Sequence, residues 1–329
     1  MIGLLLVALV VVWLVWNAIL TPTIFVQAAL IGVTNGAVYG LIALGYTLVY
    51  GILELINFAH GDVFMLGGMI AISFTNLFGV TNHNGVSYWL LVLAVLFLSM
   101  SICASINVTV ERIAYRPLRN APRLAPLITA IAMSFILQNI ALAWKGPNAV
   151  TLPTDTLPQG AVFYIGGEPY RWASLIVVLI TIPVLLALIW FVQRTKQGKA
   201  MRATAQDREA AAMLGINVNR TISVTFALAG SLAGAAGLLF TYYFTYAKFD
   251  LGFQLGLIAF TAAVLGGIGN LAGAVLGALL IGLIQSFNEG LTWHAPGSSW
   301  TQSIVFSILI LILVFRPEGL LGERTPEGA

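Results

Sequence analysis

The stretch VYGILELINFAHGDVFMLGG, residues 49–68, sets Glu54, Asn57, His60 and Asp62 between two long apolar runs, and no Lys or Arg occurs before Arg112. One carboxylate at the centre of a bilayer costs about 2.5–3.5 kcal/mol on insertion scales, so these groups must face a cavity, a partner or the interface. Two readings follow. In one, the stretch is an interfacial hairpin with Glu54 and Asp62 solvated. In the other, the chain breaks at Asn57–Gly61 inside the membrane, and a new helix starting near Asp62 lines a route for solute, as discontinuous helices do in transporters.

Working outward, the chain of 329 residues is 59% hydrophobic and 8% charged, against roughly 45–50% and 25% in soluble domains. This excludes a soluble globular protein and gives a surface suited to membrane lipid. Apolar runs at about 3–20, 24–50, 62–79, 88–110, 124–143, 172–192, 221–246, 254–268, 271–288 and 301–315 predict ten crossings. The run 3–20 reads as a span rather than a signal peptide, because it lacks a basic leader, contains Trp13 and Trp16, and no small-x-small cleavage site follows it. Cys103, the single cysteine, lies in an apolar run and reads as packing. It leaves no intrachain disulfide and no cysteine-based metal site. The net charge of +3 is explained by basic loops and carries no indication of nucleic acid.

Twelve of the fifteen basic residues fall in ERIAYRPLRNAPR (111–123), in 193–220 and after Phe315, and the other face keeps Lys145, Arg171 and Lys248. The positive-inside rule then places both termini in the cytoplasm, a parity that ten spans satisfy. The fold class expected is an all-α polytopic membrane protein of about ten transmembrane helices. The long connection 145–171 lies outside, with a turn or short hairpin at Gly166–Gly167. In 193–220, GKAMRATAQDREAAAMLGIN predicts one short helix across the cytoplasmic face, closed by Gly215. Its Ala203, Ala210, Ala211 and Leu214 form one side, and Arg202, Asp207, Arg208 and Glu209 the other. Taken alone, it is either a membrane-surface helix or a protein contact.

Gly32, Gly36 and Gly40, and again Gly269, Gly273 and Gly277, recur every fourth residue, the signature of close helix packing in lipid. GIGNLA (267–272) is no dinucleotide turn, since no soluble strand precedes it. No GxxxxGK[ST] loop is present, so ATP hydrolysis by that route is not expected on this chain. His60 and Asp62 lack a nucleophile or metal-ligand partner at useful spacing. The amides Gln27, Asn35, Gln138, Asn139, Gln254 and Gln285 lie within spans, as helix-to-helix bonds or as the lining of a solute path.

ALGYTLVYGILELINFAHGDVFMLGG, ERIAYRPLR, ITAIAMSFILQN, RATAQDREAAAMLGIN and AFTAAVLGGIGNLAGAVLGALLIG follow one another in this order. On these strings the chain resembles the permease subunits of branched-chain amino-acid ABC importers, of the Liv-type H subunit, from about Phe25 to Gly322. The resemblance implies a homologous second permease subunit, two cytoplasmic ATPase subunits, an extracytoplasmic solute-binding protein and a bacterial-type cytoplasmic (inner) membrane, with no cofactor on this chain. It turns RATAQDREAAAMLGIN into an ATPase-coupling element, with Arg202, Asp207, Arg208, Glu209, Leu214 and Gly215 at the contact. It makes Glu54, Asn57, Phe58, His60, Asp62, Gln138 and Asn139 the candidates for the substrate pathway. The chain divides into an extra N-terminal transmembrane helix (1–22), a permease domain (23–322) containing the coupling segment 193–220, and a cytoplasmic tail (323–329). Permeases of urea or amide importers carry a comparable turn, and a stand-alone ion-coupled carrier using Glu54, His60 and Asp62 is the reading from another class.

Overall fold

A computed structural model of the chain describes residues 2–53, 55–81, 85–119, 121–122, 124–153, 155–157, 160–165, 167–316 and 318–322, without the side chains of 2–7 and 168. Glu54 and the tail 323–329 lie outside them. The long elements are α1 (Ile2–Leu20), α2 (Pro22–Leu53), α3 (Ala59–Leu77), α4 (Val86–Val110), α5 (Leu124–Lys145) and α6 (Trp172–Arg194), followed by α7 (Lys196–Gln206), α8 (Arg208–Met213), α9 (Val218–Phe244), α10 (Leu251–Gly266), α11 (Leu271–Gly290) and α12 (Ser298–Phe315). Every expected apolar run is a helix. Seven of these helical segments are long and apolar enough to cross a membrane, which establishes a multi-pass helical membrane protein. The described apolar part of α1 and all of α10 are shorter, and α3 falls outside the seven because His60, Asp62 and Asn76 interrupt its apolar sequence.

The centre of the bundle is α2, whose 32 residues extend about 48 Å at 1.5 Å per residue. It is apolar on every side, the pattern of a helix enclosed by others, and almost all of Thr34–Leu53 is buried. It runs antiparallel to α11. A Cβ on Gly32 would lie 2.8 Å from the Leu283 Cα, and one on Gly36 would lie 2.8 Å from the Leu279 Cα, so bare backbone is what admits the contact. Gly273 and Gly277 do the same for α10, against the Gly266 and Ala262 carbonyls. Gly40 and Gly269 depart from the expected ladders. A Cβ on Gly40 would meet only the Ala278 Cβ at 3.8 Å, and Gly269 stands in the turn before α11 with φ +94° and nothing within 4 Å. There glycine serves the left-handed backbone rather than helix contact.

A second group packs α3 and α4 on α9. The Ser99 hydroxyl lies 3.0 Å from the Gly67 carbonyl and 3.1 Å from that of Gly234, joining three helices at one atom. Cys103 is buried in the same seam with Sγ 3.6 Å from the Val63 carbonyl, the packing role expected. Outside the helices, β2 (Ala161–Ile165) pairs antiparallel with β3 (Glu168–Arg171), the hairpin expected around Gly166–Gly167. The pairing of β1 (Val150–Thr151) with β4 (Tyr246–Ala247) has no pattern in the sequence, since two residues are too few to show alternation.

Two boundaries differ from expectation. The helix after the break starts at Ala59, so Asp62 lies inside its first turn rather than at its start. The 193–220 segment forms two helices rather than one. Asp207 is extended (φ −153°, ψ 115°), ending α7, and its Oδ1 accepts from the Glu209 N–H (2.8 Å) and Ala210 N–H (2.9 Å) to cap α8. Gly215 (φ +82°) closes α8 as expected: its N–H reaches the Ala212 carbonyl and that of Ile216 the Ala211 carbonyl, each at 3.0 Å.

Candidate functional site: a helix break with a buried carboxylate

Residues 55–58 lie outside the helices, between α2 and α3. Asn57, His60 and Asp62 are all buried, so Asp62 is not solvated as the interfacial hairpin reading has it. The Asn57 Oδ1 accepts a 2.7 Å hydrogen bond from the Tyr115 hydroxyl, presented by a π-helical turn (Glu111–Tyr115) that continues α4. Its Nδ2 has no partner among the described residues. Phe58 is half-buried, its ring 6.3 Å from that of Phe260.

His60 occupies a pocket made by an absent side chain. A Cβ on Gly45 of α2 would land on its imidazole, and the Tyr46 ring meets it edge-on at 4.8 Å between centroids. Neither ring nitrogen closes a hydrogen bond of ordinary geometry. Gly45→Ala must therefore expel the imidazole from a fully enclosed seat. The expected outcome is a lowered thermal midpoint with the protein still in the membrane, and an unchanged midpoint would show that the surroundings of His60 adapt.

Asp62 lies deepest in the chemistry. Its Oδ2 accepts from the Ser134 hydroxyl of α5, which in turn accepts from the Gln138 Nε2 at 3.1 Å. The other oxygen, Oδ1, has no partner among the described residues and rests against α10, where a Cβ on Gly252 would come within 2.6 Å of it. The carboxylate thus lies in the first turn of its own helix and beside the first turn of another, where helix dipoles favour negative charge. That placement compensates part of its desolvation without a basic residue. Asn139, expected beside Gln138, is not in this cluster: it is exposed and donates to the Phe135 carbonyl of its own helix at 2.8 Å. Glu54 cannot be placed, as it lies outside the described residues. Gly45, Tyr46, Tyr115, Ser134 and Gly252 belong to the site and were not singled out from the sequence. Tyr115 and Ser134 sit within strings that were, but an isolated hydroxyl in a span carries no pattern of its own.

At one end of the bundle the basic residues hold the structure together. Glu111, fully buried, accepts from Arg119 and, at 3.3 Å, from the Arg116 Nε, while Ser223 donates to its other oxygen at 2.7 Å. Arg119 also donates to Asn219 at 2.5 Å. Of the candidate coupling residues, Arg202 donates to the Val192 carbonyl and Arg208 to the Ile52 carbonyl (2.9 Å), capping the ends of α6 and α2. Asp207 caps α8, and Glu209 is exposed. Leu214 does not join Ala211 on the buried side as expected. It stands 81% exposed beside Met213 at 83%, because α8 ends one residue before it.

The described residues thus form an apolar multi-pass bundle whose buried polar groups gather at a helix break. A profile of the family described as branched-chain amino acid transport system / permease component matches residues 28–314, and the chain belongs to that family. It is 38% identical over 306 residues to the high-affinity branched-chain amino acid transport system permease protein BraD of Pseudomonas aeruginosa, covering 92% of this chain and 97% of that protein. It is 38% identical over 308 residues to the permease protein LivH of Escherichia coli K12, with the same coverage. A probable LivH from Methanocaldococcus jannaschii is 28% identical over 298 residues, covering 86% of this chain.

Proposed function

We propose that this chain is the transmembrane subunit of an ATP-driven importer that moves branched-chain or related neutral amino acids into the cytoplasm. The observation that carries this reading is the family match across residues 28–314 in a chain with a buried helix break and no phosphate loop of its own. ATP hydrolysis then falls to two partner ATPases, a homologous permease completes the path, and a solute-binding protein delivers from outside. In this reading the chain crosses the inner membrane ten times, with both termini and the basic end of the bundle in the cytoplasm. The clustering of the turns after α4 with the ends of α2 and α6, α7, α8 and the start of α9 supports that sidedness, since these segments carry nine of the fifteen basic residues (Arg112, Arg116, Arg119, Arg194, Lys196, Lys199, Arg202, Arg208 and Arg220).

The substrate path runs past the break, where Asn57, His60 and Asp62 offer the unpaired Nδ2, imidazole and Oδ1. Phe58, Gln138 and the Tyr46 ring flank them. In the assembled complex reconstituted in liposomes, Asn57→Ala and His60→Ala are each expected to lower leucine uptake while the subunits still copurify. Unchanged uptake in both variants removes the break from the path. Uptake by this chain alone under an ion gradient, without ATPases, would instead make it a secondary carrier. Urea or amide uptake without leucine uptake would reassign the substrate.

Coupling falls to the α8 turn, where Met213 and Leu214 present two apolar side chains to the cytoplasm. A single exposed leucine needs no explanation, yet an adjacent methionine and leucine on a capped turn make an anchor for an apolar groove on the ATPase. Leu214→Asp is expected to cut ATPase copurification and ATP-driven uptake at least tenfold, with the thermal midpoint of the isolated permease unchanged. Normal copurification would remove this turn from the interface.

A further inference from the structure

Between α4 and α5 runs an apolar groove of about 510 Å³ that the transport reading does not use. The two helices follow each other in the chain, joined through the π-helical turn Glu111–Tyr115 and the 3₁₀ turn Arg116–Leu118, and both pack on α3 while hardly touching each other. Leu66 of α3, Val110 and Leu137 are buried and make its floor, and Ile113, Ile136 and Ile140 stand exposed along its rim. Hydroxyls of α4 also line it, yet their donors are already committed. Ser105 donates to the Ser101 carbonyl at 2.9 Å and Thr109 to the Ser105 carbonyl at 2.8 Å, each within its own helix.

Length and width decide what the groove can seat. From Ser101 to Ile113 it runs about 18 Å at 1.5 Å per residue, close to one leaflet of a hydrocarbon core about 30 Å thick. Spread over that length, its volume is that of a trough about 6 Å across, well below the 10–12 Å of a helix with its side chains. An extended hydrocarbon chain fits and a helix does not. Charge marks one end. Arg112 is exposed and stands one turn beyond Thr109, at the end of the groove that meets the basic end of the bundle. Arg116 and Arg119, from the same connection, turn instead toward Glu111. In lipid an apolar lining alone does not favour protein over a lipid tail, so the dimensions and the cation carry the choice.

We infer that this groove seats one acyl chain of an anionic phospholipid, drawn from the leaflet at the basic end of the bundle, with the headgroup phosphate on the Arg112 guanidinium. The planar fork of arginine suits phosphate oxygens, and basic residues at the ends of membrane helices are where anionic headgroups gather. The seated chain backs α5 at Met133 and Leu137, next in sequence to Ser134 and Gln138, whose side chains hold Asp62. A lipid thereby braces the wall of the helix break. The lipid site stands without the import reading, and only its bearing on uptake rests on that reading.

The test uses the complete transporter in nanodiscs of phosphatidylcholine that contain a small share of lipid with a diazirine on its acyl chain, under either a phosphatidylglycerol or a phosphatidylcholine headgroup. After illumination, the labelled residues are mapped by mass spectrometry. Label on 101–113 and 133–140 is expected to be about fivefold higher from phosphatidylglycerol, the ratio that about 1 kcal/mol for one basic residue at the membrane surface gives. Arg112→Gln should bring the two headgroups to parity, and Arg112→Lys should keep most of the preference. Ser105→Phe, which sets a ring in the groove, should cut label on these two segments while leaving it unchanged elsewhere on the chain. If Ser105→Phe fails to assemble, the two Arg112 variants decide. Equal label from both headgroups in the wild type, undiminished label in an assembled Ser105→Phe transporter, or no label on these segments because a protein partner covers them, overturns the proposal. A transporter that labels as expected but takes up no leucine would count against the import reading alone.

Discussion

Glu111→Ala is expected to destabilise the permease by about 3–5 kcal/mol, the cost of stranding a buried charge whose partner has been removed. Glu111 is fully buried, and the Arg119 side chain is 12% exposed, so water reaches neither well. Arg116, at 39%, contributes little by comparison. The loss comes less from the missing pair than from the Arg119 cation left without a counter-charge. A paired change therefore tells the two apart: Glu111→Ala with Arg119→Met should recover a large part of the loss, since no orphan charge remains. The measurement is the thermal midpoint of the detergent-solubilised protein by tryptophan fluorescence. A double variant as unstable as the single one would mean that the guanidinium's packing, not its charge, holds the π-helical turn to α9.

The second large effect is steric. Gly277→Ala places a methyl on the Ala262 carbonyl oxygen, so the backbones of α10 and α11 must separate. Overpacking of a filled interior costs about 1–3 kcal/mol and sometimes more, and a contact with backbone allows no rotamer to relieve it. Gly40→Ala, on the same kind of four-residue ladder, meets only a methyl at 3.8 Å and is expected to leave the midpoint unchanged or slightly raised. Membrane yield and midpoint of the two variants decide. Equal behaviour would mean that helix spacing adapts at both positions.

Those glycines also mark where the sequence could be read and where it could not. The ladders Gly32–Gly36–Gly40 and Gly269–Gly273–Gly277 announce close packing from spacing alone, but spacing cannot say where two helices diverge or where a helix has already ended. Long apolar runs located the helices to within a few residues, because in lipid a helix is the one way for a single segment to satisfy its backbone. Short polar segments behaved otherwise. Asp207 reads as an interior residue of a polar helix until its carboxylate is seen to cap the next one. The helix break was legible in Asn57, His60 and Asp62, which stand out chemically against their surroundings. Their partners were not, because Tyr115 and Ser134 are distant in sequence and unremarkable in composition. Gly45 is legible only as a missing atom, by the imidazole that fills its place.

The contact between α3 and α10 has one consequence for how the site can open. Gly61, Gly252 and Gly256 bring the two backbones into contact, with the Tyr46 hydroxyl reaching Gly256 and the Asp62 Oδ1 lying against Gly252. An interface of side chains can loosen by degrees, one rotamer at a time. Where backbone meets backbone there is little to rotate, so on this face the carboxylate is uncovered by displacing α10. From the α10 side, access to Asp62 therefore answers to the position of a whole helix, while from the α5 side it answers to the Ser134 and Gln138 side chains.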